Sequence, residues 1–145
     1  MLNRRSFLAV LGTSGAAMMA GRAFAQANLP KVIVTKDPNC GCCGGWVEHM
    51  KAAGFPVEVI TSSDVDQVKL RLGVPGDLAS CHTAEVSGYV VEGHVPADAV
   101  KRLLAEKPQA RGLAVPGMPM GSPGMEVAGK APESYEVVLF GSSRH

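Results

Sequence analysis

The run Lys31-Val32-Ile33-Val34-Thr35 is continuous and mostly β-branched. Such a run suits a strand buried in the middle of a sheet, so the rest of the chain must supply its cover. Asp37-Pro38-Asn39 breaks it, and the cysteine-rich turn Cys40-Gly41-Cys42-Cys43 follows. Gly44 to Ala53 sets Trp46, Val47 and Met50 at helical spacing, with Gly54 closing the helix. Val57-Glu58-Val59-Ile60 reads as a second strand, and Asp64 as the cap of a helix through Leu72 carrying Val65, Val68 and Leu72 on one face. Val74 to Thr83 reads as loop, and Gly88 to Glu92 as a third strand. Pro96 opens a third helix through about Glu106, with Val100, Leu103 and Leu104 apolar. Arg111 to Ser134 is rich in Gly and Pro without periodicity, and a loop of that length is usually functional or disordered. Tyr135 to Phe140 forms a last strand. The order β-α-β-α-β-α-β predicts an α/β sandwich with a thioredoxin-like core, a mixed sheet flanked by helices, and one long Gly/Pro/Met-rich loop.

Composition excludes several functions. Over 145 residues, 14 cations face 13 anions, and aromatics make up 5%. That leaves neither a basic face for nucleic acid nor a stacking platform for bases. Residues 1–25 read as a cleaved export signal: Arg4 and Arg5 precede a short, weakly apolar run, and Ala23-Phe24-Ala25 supplies a small-x-small cleavage pattern. The run is too short and too polar to span a bilayer. Asn3-Arg4-Arg5-Ser6-Phe7-Leu8 is similar to a twin-arginine signal. The expected mature chain, 26–145, is a single periplasmic domain with no membrane span.

The chemistry concentrates in soft donors. Cys40 and Cys43 have the C-x-x-C spacing of a dithiol redox motif at the start of a helix, where unpaired N–H groups favour thiolate. Cys42 is superfluous to that reading. Adjacent side chains in a turn diverge, so Cys42 and Cys43 suit two different ions joined by bridging sulfurs better than one tetrahedral ion. Cys81 and His82 lie in the loop before the third strand. In a thioredoxin-like layout that loop can return to the start of the first helix. Two structural disulfides are the plain alternative for four exported cysteines, with three pairings open.

Met118, Met120 and Met125 sit between Gly117 and Glu126, where Pro119 and Pro123 forbid a helix. Thioethers are soft ligands that select Cu(I). His94 ends the third strand where loops gather and is a candidate ligand. In an extended segment His82 should point away from Cys81. His49 reads as an ordinary helical residue, His145 as a chain end, Trp46 and Tyr89 as core, and Lys101, Arg102 and Glu106 as a solvated face. The segment Gly41 to Gly45 lacks the nucleotide fingerprint, and no nucleophile–base–acid triad can be assembled.

Several motifs together carry a family resemblance: Cys40-Gly41-Cys42-Cys43 with Trp46, Leu78-Ala79-Ser80-Cys81-His82-Thr83-Ala84, Gly88 through Ala97, and Gly112 through Pro119 with Gly121 through Glu126. Over nearly the whole mature chain the sequence resembles the CopG-type periplasmic copper-resistance proteins. The resemblance implies a thioredoxin-like fold and a cysteine-bridged cluster of several copper ions, with a role in Cu(I)/Cu(II) interconversion. It makes Cys40, Cys42, Cys43 and Cys81 the cluster thiols. His94, Met118 and Met125 fall within shared motifs, whereas Met120 looks variable.

The expectation is a copper-binding protein of copper resistance, with Cu(I) held by Cys40, Cys42, Cys43, Cys81, His94, Met118 and Met125. Its partners are copper ions and other periplasmic copper-handling proteins. The alternative is a thiol-disulfide oxidoreductase using Cys40 and Cys43. A zinc-binding or disulfide-stapled module is a third reading.

Overall fold

The computed structural model describes residues 28–141. The expected export signal at 1–25 and His145 lie outside them. The elements run β1 (Val32–Lys36), α1 (Gly41–Ala52), β2 (Val57–Thr61), α2 (Val65–Leu72), a 3₁₀ turn (Gly76–Leu78), β3 (His82–Val86), β4 (Tyr89–Glu92), α3 (Ala97–Glu106), β5 (Gly112–Ala114) and β6 (Val138–Phe140). The strands form one mixed sheet in the order β2-β1-β3-β4-β5-β6. The pairs β1–β2 and β4–β5 are parallel, whereas β1–β3, β3–β4 and β5–β6 are antiparallel. Among the described residues no helix is long and apolar enough to cross a membrane.

The α/β class and the flanked mixed sheet are as expected, but the sheet holds six strands where four were predicted. The segment assigned to loop before position 84 contains the start of β3. It escaped the reading because His82 and Thr83, both polar, are buried there beside apolar Ala84 and Val86. A strand with polar residues on its buried positions shows no alternation. β5 lies inside the Gly/Pro-rich stretch and is three residues long, too short to show a period. The last strand begins at Val138, not Tyr135, and Pro96 caps α3 where the sequence made it the first helical residue.

Two cores follow from the pleat. Val34, Ala84, Val91 and Leu113 stand in register across β1, β3, β4 and β5 and share a cluster with Trp46, Val47 and Met50 of α1 and Val100 and Leu103 of α3. On the opposite face Val90, Ala114 and Phe140 pack with Leu72 and Val74, at the end of α2. Alternate residues of a strand point to opposite faces, so β4 and β5 feed both clusters.

Trp46 ties α1 to the far end of β4. Its indole Nε1–H donates to the Val95 carbonyl at 2.8 Å, and its ring lies 4.6 Å from that of His82. His49, one helical turn on, is neither idle nor solvated: its Nε2 accepts the Ala97 amide at 3.0 Å. Pro96 offers no side-chain acceptor at the start of α3, so His49 satisfies one of the donors a helix leaves open. Replacing Trp46 by Phe orphans the Val95 carbonyl and is expected to cost on the order of 1–3 kcal/mol, measured by urea unfolding followed by far-UV circular dichroism. Unchanged stability would show that the bond contributes nothing net.

Candidate metal centre

Helix α1 begins at Gly41, three residues earlier than its apolar periodicity indicates, so Cys42 and Cys43 lie inside its first turn and Cys40 caps it. Glycines at 41, 44 and 45 are poor helix formers and hid this turn from the sequence. The expected divergence of the adjacent cysteines holds on the helix, where neighbours lie about 100° apart. Cys43 is fully buried and Cys42 half-buried. Positions three apart share a face, and Cys40 and Cys43 are joined by a disulfide. Cys42 and Cys81 are free thiols. The two-disulfide alternative therefore holds for one pair only.

Cys42 is the sulfur hub. Its Sγ lies 3.5 Å from that of Cys40, 3.8 Å from that of Cys81 and 3.9 Å from Met118 Sδ. The ligating atoms of Cys40, Cys42, Cys43 and Cys81 all fall within 4.8 Å of one another, close enough to hold a metal ion. No acidic residue occupies the first turn of α1. The N–H groups that a helix leaves open at its start therefore meet no carboxylate of that turn.

Cys81 joins this cluster to a second one. Its Sγ lies 3.1 Å from His94 Nε2 and 3.3 Å from His82 Nδ1. His94 is buried, and its Nδ1 donates to the Pro123 carbonyl at 2.7 Å. A carbonyl only accepts, so Nδ1 carries the hydrogen and the Nε2 lone pair faces the Cys81 sulfur. Burial holds His94 below the usual imidazole range, which keeps that lone pair available. Burial first, and then the neighbouring Cys42, push the Cys81 thiol up to about 11. A soft metal binding there displaces a proton.

The sequence set His82 aside, and the structure brings it in. It lies on β3 with its ring between Trp46 and His94, the His82–His94 centroids being 5.1 Å apart and nearly perpendicular. Its side chain does face the α1 core, away from the α2 side, yet its Nδ1 still reaches Cys81. His82 Nε2 is the one buried side-chain nitrogen or oxygen among the described residues without a hydrogen-bond partner. The histidine next to Cys81 was its only sequence signal.

The Met-rich loop is folded onto the site at glycine-on-glycine contacts. Gly124 has φ +89°, and a Cβ there would meet the Trp46 nitrogen at 2.6 Å and the Cys42 carbonyl at 2.9 Å. This crossing carries the Pro123 carbonyl to His94. Met118 is 52% exposed at the rim, with its sulfur on Cys42. Met125 is half-buried and bonded through its backbone to Ser122 and Gly121. Its position is set by the loop, not by a contact with the thiols. A cavity of about 280 Å³ lined by Asp37, Ser63, Asp66, Lys69, Ser80 and Cys81 opens on the other side of Cys81.

Two outcomes check this geometry. Gly124→Ala forces a side chain into both a left-handed backbone and the first turn of α1, and is expected to destabilise the protein by about 1–3 kcal/mol in urea unfolding. His82 is pushed by burial down to about 3, whereas an unfolded histidine titrates near 6.5. The unfolded chain therefore binds the extra proton first as pH falls. The His82 contribution to stability is complete above pH 6.5 and is lost progressively toward pH 3. Metal-free His82→Gln should show a shallower fall over that window than the parent; parallel curves would contradict the assignment.

Residues 78–125 match a family model described as a protein of unknown function, DUF411, a span that contains Cys81, His82, His94, Met118 and Met125. None of the curated proteins matches the chain. Two solved forms of the copper resistance protein CopG are similar to it. One aligns at 46% identity with a TM-score of 0.73, over 77% of this chain and 88% of that one. The other aligns at 46% identity with a TM-score of 0.72, over 77% of this chain and 87% of that one. With nearly half its residues identical over most of the length of that protein, and the cysteine cluster in place, the chain belongs to the CopG family of copper resistance proteins.

Proposed function

We propose that the protein is a periplasmic copper-binding protein of copper resistance, exported by residues 1–25 and acting as the single domain 26–145. It holds several Cu(I) ions in a cysteine-bridged cluster. The observation that carries this reading is the position of Cys42, whose sulfur has three other sulfurs within 4 Å. Thiolates and thioethers are soft donors that select Cu(I), whereas zinc is held by thiolate, imidazole and carboxylate and has no use for the Met118 thioether beside Cys42. Cys42 and Cys43 bridge ions, Cys40 and Cys81 close the cluster, and His94 caps it through Nε2. Met118 covers the exposed side, and Met125 shields it from the same loop. Loading requires the Cys40–Cys43 disulfide first to be reduced to two thiols by an external dithiol, which is itself oxidised to a disulfide, because the two sulfurs are otherwise bonded to each other. Copper moves to and from other periplasmic copper-handling proteins, and cycling between Cu(I) and Cu(II) on the cluster is a further part of this reading.

That same disulfide favours a second reading, a thiol-disulfide oxidoreductase that uses Cys40 and Cys43. Metal stoichiometry separates the two. The reduced protein, loaded anaerobically with excess Cu(I) and desalted, is expected to retain more than one copper per chain and little zinc. No retained copper, together with a reversible Cys40–Cys43 disulfide, would transfer the protein to the oxidoreductases. Cys42→Ser is expected to cut retained copper by at least half, and an unchanged copper count in that variant would sink the bridging role.

A further inference from the structure

A buried ion pair lies behind the metal centre on the α2 face of the sheet. Glu92, at the end of β4, is 0% exposed, and Lys69 of α2 is nearly so. Glu92 Oε1 accepts from Lys69 Nζ at 2.5 Å and from the Ser80 amide at 2.7 Å. Its Oε2 accepts from Thr83 Oγ1 at 2.5 Å, and that hydroxyl accepts in turn from Lys69 Nζ at 2.8 Å. Ser80 and Thr83 bracket Cys81-His82, so one carboxylate grips the chain on both sides of the pair facing the site.

The grip extends further. Ser80 Oγ donates to the Gly117 carbonyl at 2.5 Å, next to Met118, and the Gly93 amide donates to the His82 carbonyl at 3.1 Å. Gly93 separates Glu92 from His94 and has φ +72°; a Cβ there would come within 2.5 Å of Ser80 Cβ. Stability gives a poor reason for such an arrangement. The desolvation of two buried charges largely cancels their attraction, and isosteric apolar pairs often do as well. What an apolar pair lacks is a directional acceptor for the Ser80 amide and the Thr83 hydroxyl.

We infer that Glu92, neutralised by Lys69, is a positioning residue for the metal centre: it orients the ligand Cys81 and the adjacent His82 without touching the metal itself. The inference rests on the copper-binding reading above, and it deepens that reading by assigning a role to residues outside the donor set.

The test uses the full chain, reduced, with two readouts. The first is Cu(I) affinity, by competition with a chromophoric Cu(I) chelator. The second is the alkylation rate of Cys81 by iodoacetamide in the metal-free protein, followed by peptide mass spectrometry. Lys69→Met/Glu92→Leu removes both charges and the acceptor together. It is expected to keep the near-UV signal of Trp46, weaken Cu(I) binding by about tenfold or more, and speed alkylation of Cys81. Lys69→Met/Glu92→Gln returns an acceptor to the Ser80 amide and is expected to recover most of both. A well-folded Leu variant with parental affinity and parental alkylation would overturn the inference. If the Leu variant fails to fold, Thr83→Val removes one arm of the grip at nearly constant shape; faster Cys81 alkylation supports the inference and an unchanged rate overturns it. If the parent itself retains no Cu(I), the copper reading falls, and the alkylation arm still decides whether Glu92 positions Cys81.

Discussion

The indole of Trp46 reaches from α1 to the Val95 carbonyl while its ring lies against His82. That contact places the first turn of α1 at the ends of β3 and β4, and the site is built in the resulting angle. The helix supplies Cys42 and Cys43 with the positive end of its backbone dipole. The strand ends supply Cys81, His82 and His94. The two sets meet at Cys81: the helix offers clustered sulfurs, and the strands offer a thiol beside two neutral imidazoles. Burial ties the parts together, since it keeps both rings unprotonated and makes Cys81 reluctant to ionise until a metal replaces its proton.

The loop from Gly117 to Glu126 has two jobs that its composition reconciles. Its glycines permit contact with the first turn of α1, where Gly45 and Gly124 meet backbone to backbone. Met118 then lies close to the Cys42 thiol without the steric demand of a helix. Met118 at the rim is both a soft donor and the most solvent-exposed sulfur in contact with the cluster. The Pro123 carbonyl meanwhile fixes the tautomer of His94. Loop docking and histidine orientation are thus one structural event.

The candidate donors divide by how they became visible. Cys40, Cys42 and Cys43 stand out as thiols crowded at a strand–helix junction, and Cys81 and His94 as soft or titratable side chains at the ends of strands where loops gather. The structure brings all five to one place, Met118 with them. Met125 came from the same loop composition, and its contacts remain those of the loop. His82 was discounted by strand alternation, a rule about Cβ directions that leaves the reach of a ring nitrogen open. Glu92 and Lys69 had no signal beyond an acid closing an apolar strand and a base on a helix that otherwise looks solvated.

What the sequence determined by itself were the features carried by local chemistry and spacing. These are the alternation of strand and helix that makes an α/β sheet, the thiols at the start of the first helix, and the motifs that resemble the CopG-type proteins. Tertiary structure decided the two additional strands, the early start of α1 and the ring of His82 on Cys81, whereas the Cys40–Cys43 pairing follows the C-x-x-C spacing. The strands depend on contacts between residues far apart in the chain. β3 is a strand because β1 and β4 flank it, although its own residues do not alternate. A buried polar group acquires its meaning only when its distant partner is in place: His94 with Pro123, Glu92 with Lys69. Periodicity reports which face of an element is apolar, and it is silent on which polar groups will be taken out of water together.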